Sequence, residues 1–453
     1  MTGSLAGGPH RRRPGATASA WRGRRQDRLL ALLLGVAALL GVAALVAGPA
    51  RAEPLTGDLP DAVLSALQAA QIPTSALSLY VRAIDNPQPL IAHRSTQARN
   101  PASVIKLITT LAGLEQLGRD YRWHTEVYAR GTLQAGRLQG DLLLRGEGDP
   151  YLTTERFWAL LYDLRARGVQ EIEGDLLLDA SRIAPPQQHR ADFDGRPLRP
   201  YNALPHALTL NFQATRVTLT PVPGAERPAV YGYPPAPRLQ LDNGVTQTRA
   251  ACRGAAARPR LQSDSPMRLQ LSGRLAESCD DIERYLLLMP PEQHLAEAFR
   301  ALWGQLGGAL RGEVRSASRQ AGDHRLLRQP SLPLAEVIRA INKHSNNLMS
   351  RLLFLTLGDA DAAPTSREPA TARPSDSSGS GWTDTPALDL PAARAAVAAW
   401  LSRKGLTHEG FYIDNGAGLS RVARLRADLL GELLVQAYQG PKMPEFLASL
   451  AVL

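Results

Sequence analysis

Cysteine is nearly missing from this 453-residue chain: Cys252 and Cys279 are the two, and no C-x-x-C pair occurs. A thiol-ligated metal centre or a redox dithiol is therefore excluded. The nine histidines are scattered with none at zinc-ligand spacing, so no metal and no cofactor is expected. Aromatic residues make up 5%, too few for base-stacking platforms. Lysine is rarer still, with Lys106, Lys343, Lys404 and Lys442 the four present. The net charge of +10 would otherwise point to nucleic acid, but its location removes that idea. Residues 1–52 hold eight arginines and one acid, Asp27, for +7, which leaves +3 of the total for everything else. No Lys/Arg run appears in that remainder, so nucleic acid is not an expected partner.

What is present begins with a leader. A basic stretch ends at Arg28, an apolar run follows over 29–47, and Gly48-Pro49-Ala50-Arg51-Ala52 resembles an A-x-A cleavage site before Glu53. Residues 1–52 read as a signal peptide for general export to the periplasm. The apolar run is ~19 residues, so an uncleaved membrane anchor is the rival reading. An exported chain with one pair of cysteines suggests a single Cys252–Cys279 disulfide; two buried thiols are the alternative.

The body is long enough for two or three domains, and 44% apolar residues can fill sizeable cores. Residues 77–83 and 90–93 read as short strands around the turn 85–88. From about Tyr121 the texture becomes β-rich, with a hairpin over 126–133 and 138–145, a helix over 153–168 and a strand at 173–179. Gly140-Asp141-Leu142-Leu143-Leu144 recurs as Gly174-Asp175-Leu176-Leu177-Leu178, which predicts two like strands in one sheet. Further strands are expected at 217–221, 238–241 and 268–275. Helix is expected at 292–306, from Leu334 with Ser331 as cap, at 388–404 and finally at 425–439. The Ala/Pro/Ser/Thr/Gly-rich stretch 358–386 reads as a disordered loop.

The chemistry lies in Asn100-Pro101-Ala102-Ser103-Val104-Ile105-Lys106. Asn100 is a good N-cap and Pro101 suits the first helical position. Ser103 and Lys106, at i and i+3, share one helix face, where the lysine can take the serine's proton. A capped helix with an outward lysine carries the same pattern. A second signal is Lys343-His344-Ser345-Asn346-Asn347, whose Ser-x-Asn interrupts an apolar helical face and so predicts a turn between two helices facing a cleft. Ser345 follows Ser103 by 242 positions, room for a large insertion, and 121–285 is the natural candidate.

With these motifs the chain resembles the D-alanyl-D-alanine carboxypeptidase/endopeptidase family of low-molecular-mass class C penicillin-binding proteins. The resemblance extends to Gly146-Glu147-Gly148-Asp149-Pro150, to Pro200-Tyr201-Asn202-Ala203 and to Asp414-Asn415-Gly416-Ala417-Gly418-Leu419-Ser420-Arg421. It implies an α+β fold: a transpeptidase-like domain over 53–118 and 316–453, interrupted by β-rich inserted domains over 119–315. It implies Ser103 as nucleophile, Lys106 as base, Ser345 and Asn347 as proton relay and substrate grip, and Asn346 with Asp149 as substrate contacts. A structural role for Asp149 in a turn fits equally. The implied substrates are peptidoglycan stem peptides ending in D-Ala-D-Ala, with β-lactams as acylating inhibitors. The family's third motif, Lys-Thr-Gly, does not occur in the sequence. The expectation is therefore of a C-terminally truncated, catalytically impaired serine DD-peptidase, with a non-catalytic peptidoglycan-binding protein as the alternative. A β-lactamase fits the motifs but not the insertion.

Overall fold

The computed structural model describes residues 59–359, 387–407 and 409–451. The leader and nearly all of the 358–386 stretch lie outside the described residues. The chain divides into two compact units at Ser95/Thr96.

In the first unit, α1 (Asp61–Ala69) precedes an antiparallel pair, β1 (Leu79–Arg82) and β2 (Pro89–His93). Between them the Asn86 side chain accepts from the Gln88 N–H at 2.9 Å, an Asx turn as the sequence predicts.

The second unit opens with a 3-10 turn, Ala102–Ile105, that runs into α2 (Lys106–Gln116). A hairpin of β3 (His124–Gln134) and β4 (Arg137–Gly146) follows, then α3 (Thr154–Ala166), capped by the Thr153 hydroxyl. β5 (Glu171–Ile172) and β6 (Leu176–Asp179) then add in parallel to β4. The repeated Asp-Leu-Leu-Leu segments become direct neighbours: Leu142 pairs with Leu176, Leu143 with Leu177 and Leu144 with Leu178. Leu142 and Leu144 face one core with α3, while Leu143 and Leu177 face Tyr128 on the other side. A sheet covered on both faces reads as an unbroken apolar run, which is why these leucines do not alternate with polar residues.

Two smaller three-stranded sheets come next. One has the order β12-β7-β8, from β7 (Thr215–Thr220), β8 (Ala229–Tyr233) and β12 (Ile282–Leu286). The other has the order β10-β11-β9, from β9 (Gln240–Thr248), β10 (Arg260–Gln262) and β11 (Arg268–Ala276). They share a core around Val217, Leu219, Val245, Leu269 and Leu271. α4 (Pro291–Gln305), β13 (Ala309–Leu310), β14 (Val314–Ser316) and β15 (His324–Pro330) return the chain to the first sheet, where β15 pairs with β3. The sheet thus runs to Pro330, past the boundary expected at 315/316, because β14 and β15 supply pairing partners for β6 and β3.

The rest is helical: α5 (Leu334–His344), α6 (Asn347–Thr356), α7 (Leu390–Arg403), α8 (Ala427–Gln439) and α9 (Met443–Ser449). In α5, Leu334, Val337, Ile338 and Ile341 fall at i, i+3, i+4 and i+7 and are completely buried. They join residues of α2, α6, α7, α8 and α9 and Trp123 in one core. At ~1.5–3 kcal/mol for each large apolar side chain buried, this core can carry the stability of the whole helical layer. The expected cap Ser331 does not cap α5; Pro333 holds that place, and the Ser331 hydroxyl accepts from the Trp123 N–H at 3.1 Å. Helix α9 was not foreseen, since Pro444 near its start reads as a breaker unless its place in the first turn is known.

Cys252 and Cys279 form a disulfide with Cα atoms 5.0 Å apart, beside the β9–β11 sheet. The loop it closes spans 27 positions. Replacing both cysteines by alanine is expected to cost about 2–4 kcal/mol in urea unfolding, the loop-entropy value. An unchanged midpoint and slope would show that the link constrains nothing.

Candidate active site

Ser103 and Lys106 meet through the geometry of the turn that carries them. The sequence suggested an α-helix from Pro101; the structure instead places Ser103 in a 3-10 segment that turns α-helical only at Lys106. A 3-10 helix has three residues per turn, so i and i+3 stack directly. An α-helix would offset them by a fraction of a turn. Ser103 is exposed and Lys106 is 2% exposed beneath it, with Nζ 3.0 Å from Ser103 Oγ. Asn100 acts as expected in kind: its Oδ1 accepts from the Ala102 N–H at 2.9 Å. Ala102 has φ of 45°, a left-handed conformation that a residue with Cβ rarely adopts.

Two further acceptors surround the lysine. Nζ lies 2.8 Å from Asn347 Oδ1 and 2.6 Å from the Ala417 carbonyl. A neutral amine has two N–H groups and one lone pair. The amide and carbonyl oxygens can only accept, so they take both hydrogens and leave the lone pair to Ser103 Oγ–H. Burial, and after it the Arg351 cation, lower the Lys106 pKa from its usual 10.5 to about 8. No carboxylate pairs with this lysine among the described residues, and a buried ammonium without a counter-ion favours losing its proton.

The Ala417 carbonyl is delivered by the loop 414–420. Thr109 Oγ1 and Ser350 Oγ both donate to the Gly416 carbonyl at 2.8 Å, tying the loop to α2 and α6. Asn100 Nδ2 donates to the Ser420 carbonyl at 2.7 Å, and Asn415 Oδ1 accepts from the Ala417 N–H at 3.1 Å. Gly418 has φ of 79°, and a Cβ there would sit 1.8 Å from the Ala102 carbonyl. The loop therefore packs backbone to backbone against the nucleophile's own turn.

Asn347 is the first residue of α6, after the left-handed turn at Ser345 that the Ser-x-Asn signal implied. Its Oδ1 faces Lys106 and its Nδ2 donates to the Tyr201 carbonyl at 3.1 Å. Four residues on, Arg351 donates from Nη1 to the Ala203 carbonyl at 2.8 Å. The Pro200–Ala203 segment, which stood out in the sequence as a family match, thus lies against the site through two backbone carbonyls.

The remaining sequence-predicted residues sit as follows. Ser345 is exposed at the α5–α6 turn, two residues before Asn347, and its hydroxyl has no hydrogen-bond partner among the described residues. Asn346, expected as a substrate contact, caps α6: its Oδ1 accepts from the Met349 N–H at 3.0 Å. Asp149 is buried, and its Oδ1 accepts from the Tyr151 N–H at 2.8 Å, the turn role. Desolvation raises its pKa to about 6. A cavity of about 1060 Å³ lined by Ile183, Arg190, His206 and Leu287 contains none of Ser103, Lys106 and Asn347. The sequence reading missed Arg351 and the two carbonyl acceptors. Arg351 had a signal, as a lone charge in an apolar helix at i+4 from Asn347; a backbone carbonyl has none.

Comparison with known proteins matches the chain to the Peptidase S13 family, D-Ala-D-Ala carboxypeptidase 3, over residues 59–375 and 387–453. A D-alanyl-D-alanine carboxypeptidase from an Actinomadura species is 28% identical over 373 residues, covering 78% of this chain and 62% of that protein. D-alanyl-D-alanine carboxypeptidase DacB of Haemophilus influenzae is 24% identical over 270 residues, covering 56% of this chain and 53% of that one. The chain thus spans about half to three-fifths of the length of these relatives. Among solved structures, penicillin binding protein 4 (dacB) of Haemophilus influenzae superposes with a TM-score of 0.62 at 19% identity, over 81% of this chain and 76% of that one. A second structure of the same protein, complexed with a β-lactam, gives a TM-score of 0.59 at 19% identity. At such identities the likeness shows a shared fold.

Gly418→Ala is expected to push the Ala102 carbonyl and the serine turn away from Lys106. A displacement near 1 Å at a reacting serine costs ~10²-fold in rate, so the variant should react with a serine-directed acylating probe about 100-fold more slowly, measured where it is still folded, with a lowered unfolding midpoint from the strain at this position. A wild-type rate would mean that the loop does not set the nucleophile.

Proposed function

The chain belongs to the D-Ala-D-Ala carboxypeptidase 3 (S13) family, and from that membership and the Ser103–Lys106–Asn347 geometry we propose that it is a serine-type peptidase of cell-wall peptides. The observation that carries the reading is the neutral-amine arrangement at Lys106, with two acceptors on its N–H groups and its lone pair facing Ser103 Oγ.

In the proposed reaction Lys106 Nζ takes the Ser103 proton as Oγ attacks the carbonyl of the penultimate D-alanine. The oxyanion forms beside the Ser103 N–H, which sits in the first turn of its helix, where backbone N–H groups lack an intrahelical partner. Collapse breaks the C–N bond, and the proton passes from Lys106 to the departing D-alanine nitrogen. In this reading Ser345, two residues before Asn347, is the candidate to relay it. The acyl group now rests on Ser103 as an ester, and water activated by Lys106 releases it, returning the proton to Oγ. Asn347 keeps its amide oxygen on Lys106 throughout and presents Nδ2 to the Tyr201 carbonyl. β-Lactams, in which the amide lies in a strained ring, would acylate Ser103 by the same first step. Residues 96–123 and 331–451 then form the reacting layer, and the strands between them form the inserted region. Work on peptidoglycan puts the protein outside the cytoplasm.

Incubation with a fluorescent penicillin tests the reading. One label per chain is expected, mapped to Ser103 and abolished by Ser103→Ala. Because only the neutral lysine accepts a proton, and at pH 7 only ~10% of it is neutral for a pKa of about 8, the labelling rate should climb with pH and level off above about 8. A protein that merely holds peptidoglycan would show no covalent label at any pH.

A further inference from the structure

We propose that Arg351 is a positioning residue: its buried guanidinium biases Lys106 toward the free base and fixes the carbonyl segment against which Asn347 is oriented. The proposal rests on the reading of Lys106 as the base.

Arg351 is 5% exposed; among the described residues Nη1 donates to the Ala203 carbonyl, while Nε is buried without a partner. A neutral amide could serve that carbonyl, so the hydrogen bond alone does not account for a charge at this depth. The nearest anion that acts on it is Asp414, whose carboxylate is already bound by Arg394 of α7 at 2.7 Å. The guanidinium field therefore stays largely uncompensated, and burial pulls its own pKa down to about 10. Its charge is felt at Lys106. Asn347 and Arg351 are i and i+4 on one face of α6, and Asn347 Oδ1 is 2.8 Å from Nζ.

The other charged groups on packed elements are spoken for. Lys343 of α5 donates to the Leu450 carbonyl at 2.9 Å. Glu115, at the far end of α2, pairs with Lys404 of α7 at 2.9 Å. Tyr201, on the carbonyl segment, donates to Asp194 at 2.7 Å. This leaves Arg351 as the cation that raises the energy of a protonated Lys106, beyond what desolvation does. The same side chain, with Asn347, binds two carbonyls of the 200–203 segment, so α6 grips that segment at both ends.

The scarcity of lysine makes the test direct. The full chain labelled with 13C at lysine Cε gives four signals, and Lys106→Met identifies the one that matters. In the wild type that signal should titrate near 8. Arg351→Gln keeps a donor for Ala203 but removes the charge, and should raise the Lys106 midpoint by up to about one pH unit, the smaller part of its depression, with Lys343, Lys404 and Lys442 unmoved as internal witnesses of the fold. An unmoved Lys106 midpoint in a folded Arg351→Gln protein overturns the proposal. Should that variant not fold, Arg351→Lys adds a fifth signal from a second buried ammonium. The two neighbouring amines must then titrate as a coupled pair, and two independent single-step curves overturn the proposal. The titration needs no turnover, so an unlabelled Ser103 in the penicillin experiment would defeat the acyl-enzyme reading without altering this result.

Discussion

A buried amine with its hydrogens already committed is the constraint on which the rest of the site depends. Lys106 is buried, has no carboxylate partner among the described residues and faces two oxygens that can only accept. In water a lysine is a proton donor; here donation to Ser103 would require an ammonium that burial and Arg351 both oppose. In the proposed reaction the serine needs no histidine, because Lys106 serves as the base.

Each neighbouring element can be read as serving that amine. The 3-10 turn stacks Ser103 over Lys106, and the strained Ala102 that begins it is held by backbone contact with Gly418. The 414–420 loop brings a carbonyl to a buried point that no side chain supplies, and it is anchored by hydroxyls from α2 and α6. Asn346 caps α6 so that Asn347 can begin it, which fixes the amide oxygen on Nζ. The 200–203 segment follows the large sheet in sequence, yet its carbonyls complete the hydrogen bonding of α6 residues. The long stretch between the two motifs is thus tied to the site rather than merely tolerated by it, and the shared core of Ile183, Ala203 and Ala207 with Leu348, Leu352 and Leu355 shows the same tie in apolar form.

Much of this was legible in the sequence, and what was not has a physical reason. Ser103 with Lys106, the Ser345 turn with Asn347, and the doubled Gly-Asp-Leu-Leu-Leu were readable because side-chain identity and spacing carry them. The doubled segment even became adjacent strands in register. Asn346 has a structural use that its place in the motif did not reveal, since its Oδ1 caps α6. The 3-10 character of the nucleophile turn was invisible, since Asn-Pro also opens an α-helix well. The Ala417, Tyr201 and Ala203 carbonyls could not have been found, because every residue has one. Strand β13 is held by β5, a partner distant in the chain, and so short a segment shows little local pattern.

The claim that matters most concerns where the protons are, and neutron diffraction on deuterated crystals at about pH 9, one unit above the lysine's titration, sees them directly. The account predicts two deuterons on Lys106 Nζ, directed at Asn347 Oδ1 and the Ala417 carbonyl, and a Ser103 hydroxyl deuteron pointing at Nζ. A third deuteron on Nζ aimed at Ser103, or a serine hydroxyl turned away from the lysine, would contradict it.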